Sequence, residues 1–196
     1  MNTAAVVVTA LVAVLVLLRI VGWVFGRRSA ETLDFRGPVR ALDVALGTGQ
    51  VTIRGSGRRD ARVRRTLRHG LRRPRLTEVV DDGVLRLRVP SGVVHYEIDV
   101  PAATAVRVAG RTASTTVIGI GGRVELDTRR GSLEGRALAC TAVHAATSTG
   151  SIRLSFDVAP DVVEVATDQG TVELVLPAGD TDVRARTPEP VRVLAR

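Results

Sequence analysis

Apolar and polar residues alternate along most of this chain with a period of two, and the alternating segments recur. From Val124 the chain reads V-E-L-D-T-R-R-G-S-L, from Val143 V-H-A-A-T-S-T-G-S-I, and from Val163 V-E-V-A-T-D-Q-G-T-V-E-L. A fainter copy begins at Val106 and a truncated one at Val183, so the starts fall 18 to 20 residues apart. A period of two places successive side chains on opposite faces of a strand. A repeat of about 20 residues points to stacked β coils, each too small to bury its own apolar face. The fold predicted is all-β: a single-stack, β-helix-like β-solenoid with two short strands per coil. Val163 and Val165 point inward and Glu164 outward; Val172 and Leu174 point inward and Glu173 outward. Gly131, Gly150 and Gly170 occupy one position of each unit, as a turn with positive φ requires.

Upstream, Ala41–Gly55 has the same shape, with Leu42, Val44 and Leu46 inward, a turn at Gly47-Thr48-Gly49, and Val51 and Ile53 inward again. Ala61–Leu67 reads as an arginine-studded strand. Leu76–Val89 reads as a hairpin turning at Asp82-Gly83. His95–Val100 reads as a further strand closed by Pro101. No helical periodicity follows Arg28.

The N-terminus breaks the pattern. Ala4–Phe25 is apolar but for Thr9, Arg19 and Gly22. As a helix, that stretch would be about 33 Å long, enough to cross a bilayer. Arg19 lies toward the C-terminal end, where it can snorkel, and Trp23 suits an interface. M-N-T lacks the basic start of a signal peptide, and no cleavage site is evident. The organisation expected is an uncleaved transmembrane anchor over residues 1–28, a juxtamembrane linker over 29–36 and a β-strand-repeat domain over 37–196. Arg27 and Arg28 follow the span, which by the positive-inside rule alone would face that domain to the cytoplasm.

Composition adds an asymmetry. All 28 basic residues are Arg. Residues 1–75 hold 15 Arg against 4 acids; the remainder holds 13 against 16. A basic proximal part therefore precedes a mildly acidic repeat part. Aromatics are only 3% of residues, so Val and Ala must fill the core. Cys140 is the lone cysteine, which rules out an intrachain disulfide.

Candidate chemistry is sparse. There is no phosphate-binding G-x-x-x-x-G-K-[ST] sequence. Gly47-x-Gly49 lacks a third glycine and a following helix, so it is a turn. His69, His95 and His144 are scattered without metal-ligand spacing. Cys140 and His144, on one strand–turn unit, are read as filling coil positions and not as a nucleophile and its base. Asp81-Asp82 is a turn. No catalytic, cofactor-binding or metal-binding residue is assigned, and the chain is expected not to be an enzyme and to use no cofactor. The arginines Arg58, Arg59, Arg62, Arg64, Arg65, Arg68, Arg72, Arg73 and Arg75 have three readings. They form one solvated strand face, they contact anionic lipid headgroups, or they contact nucleic acid. The last is disfavoured because no aromatics are interleaved for stacking.

Val39–Gly55, the segment Y-E-I-D-V-P-A-A-T (Tyr96–Thr104) and the repeated T-x-x-G-[ST]-[VIL] turns together resemble the bacterial putative adhesin family of β-strand-repeat domains. The resemblance covers residues 37–196. It implies a β-solenoid behind an N-terminal membrane segment, placed outside the cytoplasm. Two functions stay open. One is a membrane-anchored, non-catalytic adhesin-like envelope or surface domain that binds protein or envelope polymer, or scaffolds, through its repeat surface. The other is a cytoplasm-facing membrane protein whose arginine-rich proximal region binds anionic lipid or nucleic acid in a regulatory role.

Overall fold

The structure, a computed structural model, describes residues 27–69 and 75–195; the expected membrane span lies outside them. They form fourteen strands and no helix. In chain order these are β1 (Arg27–Phe35), β2 (Ala41–Ser56), β3 (Ala61–His69), β4 (Thr77–Asp81), β5 (Val84–Pro101), β6 (Ala105–Ile118), β7 (Val124–Arg130), β8 (Leu133–Leu138), β9 (Ala142–Thr149), β10 (Ile152–Phe156), β11 (Val162–Gln169), β12 (Val172–Leu176), β13 (Asp182–Arg186) and β14 (Arg192–Ala195).

The strands belong to two ladders that share the long strands β2, β5 and β6. The first ladder runs β4, the first half of β5, the first half of β2, the first half of β6, then β7, β9, β11 and β13. The second runs β1, β3, the second halves of β5, β2 and β6, then β8, β10, β12 and β14. All pairings from β5 through β13 and β14 are parallel; only β1, β3 and β4 pair antiparallel. The long strands pass from one ladder to the other without a break. After β6 the chain breaks at Gly131, Gly150 and Gly170 instead, between β7 and β8, β9 and β10, and β11 and β12.

The repeat positions stack in register. Val106 pairs with Val124, Val124 with Val143, Val143 with Val163 and Val163 with Val183; Leu42 and Leu85 continue the column. Each has its side chain in the common interior, and all but Val183 are at most 2% exposed. A second inward column holds Ile98, Ile53, Val117, Gly135, Leu154, Leu174 and Val193. Gly135 leaves a gap there that the Leu138 and Leu154 side chains fill, since a Cβ on it would lie 2.7 and 2.8 Å from them. Each buried aliphatic side chain contributes about 1.5–3 kcal/mol, so stability is spread over the paired strands and does not reside in any one of them.

Two expectations change. Residues 29–36 are not a linker: strand β1 pairs antiparallel with β3 from Arg27 opposite His69 to Phe35 opposite Ala61. Its inward positions Ser29, Glu31, Leu33 and Phe35 are half-buried, while Ala30, Thr32 and Asp34 are exposed. The segment at His95–Val100 is no separate strand either, because β5 runs continuously from Val84 to Pro101. The hairpin at Asp82-Gly83 is present, with φ of 49° and 72°, the left-handed pair of a tight two-residue turn.

Candidate functional site

Parallel stacking places outward residues one above another, and on both ladders acidic residues alternate with arginine or histidine. On the first, the row runs Arg86, Asp43, Arg107, Glu125, His144, Glu164, Arg184. Arg107 meets Glu125 at 3.4 Å, His144 meets Glu164 at 3.3 Å, and Arg184 meets Glu164 at 3.3 Å. On the second, Glu134, Arg153, Glu173 and Arg192 share a row, with Arg153 at 2.9 Å from Glu173. Opposite charges on adjacent strands stabilise a sheet modestly, about 0.2–1 kcal/mol per pair. Their larger effect is to leave these faces nearly neutral.

The same compensation takes up much of the arginine run. Arg58 holds Asp60 in a two-pronged pair at 2.8 and 2.9 Å, which keeps that carboxyl below its usual range. Arg62 binds Asp34 at 2.7 Å and Arg64 reaches Glu97 at 3.4 Å. Arg62, Arg64 and Arg68 do lie on the outer face of β3, with Ala61, Val63 and Leu67 buried opposite. Arg65 departs from the single solvated face. It points inward at 11% exposure, between Glu31 and Glu78, with Glu78 at 2.5 Å. Burial opposes its charge, and the hydrogen bonds it donates to Glu31 and Glu78 outweigh that, raising its pKa. Tyr96, fully buried, donates to the other Glu78 oxygen at 2.9 Å. Glu78 comes from β4 of one ladder and Arg65 from β3 of the other, so the cluster ties the two together. Arg59 is exposed in a loop, and Arg72 and Arg73 lie outside the described residues.

Among the described arginines without a carboxylate partner, which include Arg36, Arg40, Arg54, Arg123, Arg186 and Arg192, three stand close together at the bend between the ladders, where Asp127 and Asp168 also lie. Thr48, Thr112, Arg130, Thr149 and Gln169 form one cross-strand row there. Arg111 and Arg129 immediately precede two of its members. Arg111, Arg129 and Arg130 are exposed, and none has a carboxylate partner among the described residues. Two open grooves flank the bend. One, of about 680 Å³, is lined by Arg68, His95, Thr112, Ser114 and Arg130. The other, of about 860 Å³, is lined by Arg75, Arg88, Pro90, Arg111, Asp127 and Arg129. Arg68 and Arg75 of the sequence-derived run therefore join three arginines that sequence reasoning passed over. The sign was present in T-R-R-G at Thr128–Gly131, where two arginines fill the variable positions of the turn motif.

The bend is held by a second column. Gly49, Gly131, Gly150 and Gly170 have φ between 137° and 155°. A Cβ on Gly150 would lie 2.1 Å from the Gly131 carbonyl oxygen, and one on Gly170 would lie 2.0 Å from that of Gly150. The coils are in contact at these backbones. Thr128, Thr147 and Thr167, buried, donate their hydroxyls to the carbonyls of Ala113, Gly131 and Gly150, each one coil back. This is the physical content of the T-x-x-G repeat: glycine admits the neighbouring coil, and threonine satisfies the carbonyl that faces inward.

No protein-family model matches the chain, and no curated protein does. Among solved structures, it is similar to a putative cell adhesion protein from Clostridium sporogenes, at 9% identity and a TM-score of 0.47, over 86% of this chain and 98% of that one. It is similar to a putative adhesin from Bacteroides fragilis at 13% identity and a TM-score of 0.33, over 85% and 96%. It is also similar to a putative lipid binding protein from Parabacteroides distasonis at 10% identity and a TM-score of 0.29, over 87% and 98%.

Cys140 and His144 occupy separate environments. Cys140 is 1% exposed, and burial pushes its thiol up to about 11. His144 is partly exposed on the outer face against Glu164. Among the described residues, no three His, Cys, Asp or Glu side chains gather as metal ligands.

Proposed function

We propose that this chain is a non-catalytic domain of the cell envelope, a β-solenoid on an N-terminal membrane anchor, that binds an anionic polymer through the bend of its repeat surface. The observation that carries this reading is the close grouping of three unpaired arginines at the bend. Most charges of the lateral rows are paired, and Arg111, Arg129 and Arg130 stand without partners beside two open grooves. A guanidinium binds phosphate or carboxylate in fork geometry, and a row of them along a groove suits a chain of such groups. The buried, high-pKa Cys140 supports the absence of a thiolate nucleophile.

The test is binding of full-length protein in detergent to long-chain polyphosphate at several salt concentrations. Arg111→Gln, Arg129→Gln and Arg130→Gln together should weaken binding at least about tenfold and flatten its salt dependence. The matched change of the paired Arg58, Arg62 and Arg64 should do much less. Equal losses from both triples would reject the bend as the site. The anchor has its own test: full-length protein should resist carbonate extraction from membranes.

Arg27 and Arg28 beside the expected span favour the second reading, a cytoplasm-facing domain on anionic lipid. A C-terminal alkaline phosphatase fusion decides between them. Activity supports the envelope placement; an inactive fusion with an active cytoplasmic reporter supports the lipid reading.

A further inference from the structure

The two ends of the stack are finished differently. At the N-terminal end the antiparallel strands β1, β3 and β4 close the interior, with Ala61, Val63 and Leu67 at most 1% exposed. At the C-terminal end nothing among the described residues covers β13 or β14, each of which has one neighbour. Val193 is 52% exposed although it continues the inward column of Leu154 and Leu174, which are fully buried. Leu194 beside it is 50% exposed. Stacked repeats need a cap with a polar outer side, and a bare edge strand is a template for pairing.

We propose that a second copy of this chain caps this end, through antiparallel pairing of β13 with its counterpart across a two-fold axis at Val183. The edge is self-complementary in that register. The Asp182 N–H bonds back to the Asp161 carbonyl, so the alternate residues Val183 and Ala185 direct their N–H and C=O groups to the free side. With Val183 opposite Val183 of the copy, these groups form ladder bonds. The valine column then continues from one copy into the other. On the outer face Asp182 falls opposite Arg184 of the copy, and Arg184 opposite Asp182. No like charges oppose each other there, and the alternation of Glu164 and Arg184 extends across the interface. An axis crossing both ladders also sets β14 antiparallel to its copy, over Val193 and Leu194. The contact is isologous, so it closes at two copies and does not grow into a fibre.

The experiment is sedimentation equilibrium of the full chain in a density-matched detergent, with circular dichroism to confirm equal folding of each variant. The wild type should be a dimer in the micromolar range. Asp182→Arg and Arg184→Asp each place like charges face to face and should each weaken it at least about tenfold. Mixed one to one, the two variants present opposite charges to each other and should recover the dimer. A wild type that stays monomeric to about 100 μM, which corresponds to a Kd too weak for a stable pair, overturns the proposal. So does a dimer that neither substitution changes, which would assign association to the membrane segment, or a mixture that fails to recover it.

Discussion

At the residue scale, the bend column makes the sharpest demands. Gly150 must approach the carbonyl of Gly131 where no Cβ fits, and its φ of 149° is one that side chains avoid. Gly150→Val should lower stability by more than about 3 kcal/mol in thermal or denaturant unfolding, because a backbone contact cannot be relieved by rotating a side chain. Two threonines test the hydroxyl ladder against each other. Thr147→Val leaves the Gly131 carbonyl without its side-chain donor and should cost about 1–2 kcal/mol. Thr115 is equally buried, but its hydroxyl has no partner, so Thr115→Val should be neutral or slightly stabilising. Cys140 predicts a pH effect. Its thiol is raised from 9.0 to about 11, so the fold favours the neutral form. That contribution is complete below pH 9 and is lost as pH rises through 11, a change on the order of 2 kcal/mol. Cys140→Ala should flatten the alkaline loss of stability in that window, measured by urea unfolding at successive pH values. Tyr96, raised by burial and by the Glu78 carboxylate, titrates higher still and stays in place in that comparison.

At the element scale, the strands after Ala105 were legible because their alternation of apolar and polar residues is local. A threonine and a glycine recur between them at a spacing of about 20 residues, and the pairing of the strands is parallel. The column Val106, Val124, Val143, Val163, Val183 needed no tertiary information. Strand β1 was illegible for the opposite reason. Its inward positions include Ser29 and Glu31, so the apolar signal that marks a half-buried strand is missing from its first half. Glu31 faces inward only because Arg65 lies opposite it on β3. Arg65 in turn needs Glu78 from β4, and no spacing in the sequence brings these three together. This cluster predicts an asymmetry between single and paired changes. Glu78→Gln should cost about 3–5 kcal/mol by leaving Arg65 short of a charge partner in a buried site. Arg65→Met combined with Glu31→Gln and Glu78→Gln should recover much of that loss, measured by equilibrium unfolding.

At the scale of the whole molecule, charge was readable as a total and misleading as a location. The excess of arginine over residues 1–75 suggested one basic face. Folding pairs Arg62, Arg64 and Arg65 with carboxylates on neighbouring segments and Arg58 with nearby Asp60, and brings Arg68 and Arg75 beside Arg111, Arg129 and Arg130. Of the five arginines of the candidate site, the sequence thus marked two, Arg68 and Arg75, and hid Arg129 and Arg130 inside a turn motif. Because partners in the lateral rows come from successive coils, salt should loosen those rows mildly and weaken ligand binding at the bend strongly.

The connection of one coil to the next has a mechanical meaning. The antiparallel strands lie at one end of the stack and β13 and β14 at the other, so tension between the two ends loads the hydrogen bonds between coils in sequence. Coils should peel from the C-terminal end, each releasing the 20 residues that separate Val163 from Val183. At about 3.3–3.6 Å per residue that is roughly 65–70 Å of slack per step. Single-molecule pulling should show a short series of near-equal steps before the doubly anchored strands β2 and β5 resist. One rupture spanning all coils would show that the stack bears load as a single unit. A domain with the stepwise response would yield to tension by lengthening while its remaining strand pairs stayed folded.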